Sequence, residues 1–348
     1  MSTGRHICIC AAQVPFVRGG AEALVESLRR ELASRGHVVE VVALPYKWYP
    51  HEQVLRSCLA WRLVDLDESN GVKVDTVIAT KFPSYVVAHP RKVTWLVHQF
   101  RQVYDLYGTP YSDFAATPAD NDIREAIVRI DNRSLAESGR LFSISRNTAE
   151  RLAKFNHLHA ETLYHPPPLE GRYFSAEQGP YVLSVGRLED VKRVDLLLRA
   201  MARVRAPLRA VVAGTGPNLD PLRRLATELG IAERVDFRGR VSDEDLLGLY
   251  ANCLAVFYAP FDEDYGYVTL EAFRSGKPVI TCADAGGVLE FVEHRVTGLV
   301  SKSLEPDDIA SLTDWLWENR GRAREMGRAA LDSIEHITWD ATIEALLG

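Results

Sequence analysis

Hydrophobic and polar positions along this chain fall into blocks of two kinds. Short apolar runs at residues 7–12, 38–44, 74–79, 93–97 and 141–144 have the length and continuity of buried strands. Between them lie segments with helical spacing. The stretch 21–35 is amphipathic, entered through Gly19-Gly20 and closed by Gly36; a second helical segment lies around 54–66; a third begins near Arg146 and carries Leu152 on its buried face. Strands that alternate with helices predict a parallel sheet covered on both faces, a doubly wound α/β domain.

The sequence Tyr164-His165-Pro166-Pro167-Pro168 continues neither a helix nor a central strand, because three prolines remove three donors and hold the backbone extended. It reads as a crossing between domains, 1–165 and 166–335. Beyond it the alternation restarts, with strands expected at 181–185, 208–213, 235–237, 254–259, 279–281 and 298–300. Helices are expected at 194–204, 219–229, 243–250, 268–275, after Gly286-Gly287, and at 306–319. A terminal helix within 336–348 is placed to cross back onto the first domain. The expected fold class is therefore α/β, two facing doubly wound domains with the carboxyl ends of both sheets at one interdomain cleft.

Composition narrows the function. A length of 348 residues favours two domains and excludes a mini-protein held together by disulfides or metal. The 41 Lys and Arg against 47 Asp and Glu give a net charge of -6, too acidic for a chain whose partner is nucleic acid. The five cysteines, Cys8, Cys10, Cys58, Cys253 and Cys282, are scattered and lack a second Cys/His pair at ligand spacing, so they read as small buried hydrophobes in a reducing compartment. With no leader pattern and no apolar stretch of membrane-spanning length, a cytoplasmic location is expected, at most with contact to the inner face of the membrane.

The strongest chemical signal is Phe261-Asp262-Glu263-Asp264-Tyr265-Gly266-Tyr267-Val268-Thr269-Leu270-Glu271-Ala272-Phe273, which joins a strand to a helix. Glu263 falls in the loop. The amides of Gly266, Tyr267 and Val268 open the helix, where unpaired N–H groups suit a phosphate or a sugar hydroxyl. Glu271 is expected in the first turn of that helix, where the macrodipole favours an acid whether or not it binds a ligand. The acidic run also suits Mg²⁺ or plain solvation. At the end of the second domain's first strand, Gly186 permits a turn, and Arg187 and Lys192 can neutralise a diphosphate without metal. Gly19 and Gly20 take the equivalent place in the first domain. Gly214-Thr215-Gly216-Pro217 lacks the Lys-Ser/Thr of a P-loop and is open to reading as a plain turn.

Taken together, Gly19-Gly20-Ala21-Glu22, His98, the segment 143–152, Gly186-Arg187 with Lys192-Arg193, Gly214-Thr215-Gly216-Pro217, the segment 237–241, the E-x7-E pair Glu263 and Glu271, Gly287 with Glu290, and Thr297-Gly298-Leu299-Val300 resemble the retaining glycosyltransferases of family 4, of GT-B fold. The resemblance covers nearly the whole chain. It implies a nucleotide-sugar donor on the second domain and an acceptor on the first. By the same resemblance, Arg187 and Lys192 hold the diphosphate with no metal or other cofactor, Glu263 the donor-sugar hydroxyls, and Glu271 the ribose. Gly20, Gly186 and the amides of Gly266, Tyr267 and Val268 complete the donor site, the backbone at Val241 meets the base, and His98 stands beside the donor sugar. The implied reaction is metal-independent hexosyl transfer from a UDP-sugar, or next a GDP-sugar, by front-face attack, with Glu263, His98, Arg187 and Lys192 as its working residues.

The acceptor side is read from Gly19 and from two aromatic loops, Tyr46-Lys47-Trp48-Tyr49 and the segment 100–114 with Tyr104, Tyr107 and Tyr111. Aromatic faces there suit a glycan, a lipid-linked or small-molecule acceptor, peripheral membrane contact, or local packing. The arginines between 124 and 154 are interleaved with acids and read as a solvated surface. Two rival readings are a non-catalytic GT-B subunit that binds nucleotide sugar, and another GT-B enzyme such as a sugar epimerase. The first would be expected to have lost some of Arg187, Lys192, Glu263 or Glu271, and all four are present.

Overall fold

The computed structural model describes residues 4–115 and 117–348. The chain forms two compact units: residues up to His165 together with Thr338–Gly348, and Pro166–Ile337.

The first unit is built from β1 (His6–Gln13), α1 (Gly20–Ser34), β2 (Val38–Pro45), α2 (Glu52–Leu63), β3 (Thr76–Ala79), β4 (Lys92–Leu96), α3 (Pro118–Ala136), β5 (Arg140–Ser143), α4 (Arg146–Asn156) and β6 (Glu161–Thr162). Its sheet runs β2-β1-β3-β4-β5-β6, with every pairing parallel. β1 is buried from Ile7 to Ala12, as a central strand covered on both faces must be, whereas the edge strand β2 buries no residue fully. Lys92 lies inside this unit. Its ammonium is satisfied by the carbonyls of Tyr85, Val87 and Ser134 at 3.0, 3.1 and 2.7 Å.

The second unit comprises β7 (Tyr181–Val185), α5 (Val194–Met201), β8 (Arg209–Ala213), α6 (Leu219–Glu228), β9 (Val235–Gly239), α7 (Asp243–Asn252), β10 (Ala255–Phe257), α8 (Tyr267–Arg274), β11 (Val279–Cys282), β12 (Gly298–Ser301), α9 (Pro306–Glu318) and α10 (Arg320–Ser333). Its sheet is again parallel, in the order β9-β8-β7-β10-β11-β12. The direction of winding reverses between β7 and β10, and a crevice opens beyond the carboxyl ends of such a strand pair. A last helix, α11 (Trp339–Leu347), packs on the first unit through Trp339, whose ring stacks on His165 at 6.1 Å and meets Trp95 at 6.5 Å. Arg140 donates to the carbonyls of Ala345 and Leu346 at its carboxyl end.

All five cysteines are free and buried, as their pattern predicts. Three elements differ from the sequence reading. α3, which spans charge-rich sequence read as a solvated surface, buries Ile123 and Ile127 at helical spacing, starts at a Thr117 cap and has Pro118 in its first turn. α10 escapes a hydrophobicity pattern because its inward face is Ala323, Met326, Gly327 and Ala330. The helix expected after Gly286-Gly287 is only the single 3₁₀ turn Gly287–Glu290. There the backbone is committed elsewhere: Gly286 bridges to Glu263, and a Cβ on Gly287 would stand 2.5 Å from the Asp264 carbonyl oxygen.

Candidate active site

The two loops that leave β7 and β10 meet in the second unit. After β7 the chain turns at Gly186, which has a φ of 143°. Gly214, after β8, packs directly against this turn: a Cβ there would lie 1.8 Å from the Gly186 carbonyl oxygen, and one on Gly216 would lie 2.4 Å from that of Leu188. Gly214-Thr215-Gly216 is thus a backbone packing surface for the Gly186 turn. The β7 loop is tied to the β10 loop by the Phe261 N–H on the Val191 carbonyl, 2.8 Å. Arg193 reinforces the junction. Its buried guanidinium donates to the carbonyls of Ala259 and Pro260 and forks onto the Asp284 carboxylate at 2.8 and 2.7 Å.

Held in this way, Lys192 and Glu263 come into contact. The Lys192 ammonium donates to Glu263 Oε2 at 2.5 Å and to the Tyr258 hydroxyl at 3.3 Å, and its side chain is only 18% exposed. Burial, with Glu263 beside it, pushes the Tyr258 hydroxyl well up, so Tyr258 stays protonated. Arg187 is half exposed and pairs with Glu189 at 2.9 Å. On the other side of the loop, Gly266 at φ 85° caps α8, whose first residues are Tyr267 and Val268.

Glu271 is not the first-turn acid expected from the sequence: α8 already begins at Tyr267 and has no acid in its first turn, so Glu271 sits deeper in the helix. Its carboxylate Oε2 accepts from the Tyr250 hydroxyl at 2.5 Å. Burial pushes the Glu271 carboxyl up to about 7, against the Tyr250 hydrogen bond, which pulls it down. Val241 follows β9 past Gly239, which has a φ of 64°, at the same carboxyl edge of the sheet. The sequence reading missed Tyr250, Tyr258 and the Arg193 staple. The two tyrosines lie outside the motif, and only the strand order brings them to it.

Of the first unit's candidates, Gly19 and Gly20 lie at its own switch point, between β1 and β3. Glu22 accepts from the Gly19 N–H at 2.8 Å and from Lys81 Nζ, just beyond β3, at 2.6 Å. Burial raises the Glu22 carboxyl, but Lys81 and the Gly19 amide outweigh it and hold it below its ordinary value. Gly20 begins α1 directly behind this pair. His98 follows β4, and its Nδ1 lies 2.7 Å from the Gln99 carbonyl oxygen; that oxygen only accepts, so Nδ1 carries the proton. Tyr104 is in the core and not on an open aromatic surface: it is 3% exposed, donates to Asp131 of α3 at 2.7 Å and accepts from Asn156 at 3.1 Å. Tyr107 is half-buried and donates to Asn121 at 2.8 Å.

Residues 170–332 match the family described as Glycosyl transferases group 1. That span contains the whole Lys192, Glu263 and Glu271 arrangement and supports a glycosyltransferase. Among curated proteins, a D-inositol 3-phosphate glycosyltransferase of Nocardia farcinica is 37% identical over 179 residues, which is 48% of this chain and 39% of that protein. An uncharacterized glycosyltransferase of Methanocaldococcus jannaschii is 34% identical over 162 residues, 46% of this chain and 41% of the relative. The chain thus matches about two fifths of the length of these relatives. Among solved structures, a sucrose-phosphate synthase from Thermosynechococcus elongatus superposes with a TM-score of 0.79 at 17% identity, covering 98% of this chain and 97% of its own. HepE of Anabaena in complex with UDP and glucose gives 0.68 at 18% identity, covering 98% of each chain. The fold is GT-B. No helix among the described residues is long and apolar enough to cross a membrane.

Proposed function

We propose that this chain is a retaining glycosyltransferase that moves a hexose from a nucleoside-diphosphate sugar, UDP-linked before GDP-linked, to a hydroxyl of a glycan, lipid-linked or small-molecule acceptor. The observation that carries the reading is the meeting of Lys192 and Glu263 at the β7/β10 switch point, beside the Gly266 helix start, inside the group 1 match. Lys192 has three N–H donors, so it can keep Glu263 and still reach a diphosphate, while Arg187 lies at the entrance of the same loop. Glu263, anchored by Lys192, is then an oriented acceptor for sugar hydroxyls, and Glu271 one for the ribose. The binding of UDP by HepE and the name of the Nocardia relative support a nucleotide donor and make D-inositol 3-phosphate a reasonable first acceptor to assay.

In this reading the leaving diphosphate takes the acceptor's proton as the C1–O bond to it breaks and the acceptor oxygen bonds C1 from the same face. Arg187 and Lys192 stabilise the charge that grows on the diphosphate, so no metal is required. Proton NMR of the first-formed product tests the stereochemistry. An α-linked donor should give an α-linked product with EDTA present; a β-linked product would overturn the retaining assignment.

A further inference from the structure

We propose that Tyr250 is a positioning residue of the donor site, its hydroxyl holding one oxygen of Glu271 so that the other faces the ribose hydroxyls of the nucleotide. The inference rests on the donor reading of Glu271 given above. Tyr250 lies on α7 and is wholly buried, and Glu271 on α8 retains only 9% of its surface. Among the described residues, Tyr250 is the donor that the Glu271 carboxylate has, and it engages Oε2. A carboxylate this deeply buried without a donor would lose its charge or turn away. Burial also keeps the Tyr250 hydroxyl protonated, so the hydrogen bond runs from tyrosine to glutamate.

The tyrosine is itself braced. The Tyr173 ring meets it edge-on at 6.4 Å and 76°, and the Tyr173 hydroxyl donates to the Pro168 carbonyl at 2.5 Å. Two helices and the Pro168 segment thus fix the direction of one carboxylate. Such rigid support is what recognition of a hydroxyl pair requires. The role predicted for Tyr250 is therefore selective: it should affect ligands that carry the ribose hydroxyls and leave those that lack them almost untouched.

The test is calorimetric binding of UDP, 2′-deoxy-UDP and 3′-deoxy-UDP, with EDTA and at a pH above about 8 so that the Glu271 carboxyl, raised to about 7, is ionised, to the wild type and to Tyr250→Phe. The wild type should bind at least one deoxy analogue about tenfold more weakly than UDP, the loss expected for one hydrogen bond to a charged group. In Tyr250→Phe that gap should shrink to within about twofold, through weaker UDP binding alone. Equal weakening of all three nucleotides would make Tyr250 merely structural, and an undiminished gap would likewise overturn the assignment. Glu271→Asp, which draws the carboxylate away from an unchanged Tyr250, provides a second check. It should close the same gap, and retention of the gap there also overturns the proposal. If the wild type binds none of UDP, GDP and ADP, the donor reading itself fails and takes this inference with it.

Discussion

Lys192 and Glu263 are each modest alone and informative as a pair. An ammonium 2.5 Å from a carboxylate in a partly buried loop is a preorganised charge, which under the proposed function meets a diphosphate without reorganisation. Lys192→Ala should therefore lower kcat by about 10²–10³, the scale of removing one preorganised group opposite developing charge. Steady-state kinetics check it, and an unchanged kcat would contradict the role. Two buried acids make a second prediction. Burial raises Asp131 from 3.8 to about 7, opposed by the hydroxyls of Tyr104 and Tyr85, and raises Glu271 from 4.5 to about 7. The folded protein therefore holds protons that the unfolded chain has released between about pH 4 and 7. Their contribution to stability is complete below that window and is lost as pH rises through about 7. Asp131→Asn should flatten the fall in melting temperature across this range, and a slope identical to the wild type would contradict it. At this scale Glu263, Glu271 and Lys192 stand out in the sequence as candidates because they lie in compact local motifs, and the structure brings Lys192 and Glu263 into contact. The burial of Tyr104 was not legible: it is pinned inside by Asp131 of α3, a partner whose helix hides in charge-rich sequence.

Between elements, glycine permits close backbone approaches. α10 lies against the end of α8 because Gly327 has no side chain; a Cβ there would stand 2.0 Å from the Gly276 carbonyl oxygen. Gly327→Ala should cost about 1–3 kcal/mol, as overpacking does, measured by urea unfolding. A midpoint equal to that of the wild type would show that the helices separate freely. The strands and most helices were legible, because continuous apolar runs for parallel strands and amphipathic periods for helices are strong signals. α10 was not, since close packing of Ala and Gly carries little hydrophobicity. Neither was the arrest at Gly286-Gly287, which comes from a backbone approach to Asp264 that no local pattern encodes.

Across the molecule, the chain passes between its two units twice, at His165–Pro166 and again before Thr338, so that α11 completes the first unit after the second has been built. Trp339 fixes this return against His165 and Trp95. Trp339→Ala should destabilise the first unit by about 3–5 kcal/mol, with hydrogen exchange rising in β4 and α11 and not in β7 and β8. Uniform exchange across all four would contradict the assignment of α11 to the first unit. The most direct test of the central claim is metal-free donor hydrolysis: UDP-, GDP- and ADP-sugars are offered in EDTA to the wild type, Lys192→Ala and Glu263→Ala, and release of nucleoside diphosphate is followed. Slow hydrolysis of one donor by the wild type and impairment of both variants are expected; activity that appears only when a divalent metal is restored, or variants as active as the wild type, would contradict the proposed roles of Lys192 and Glu263.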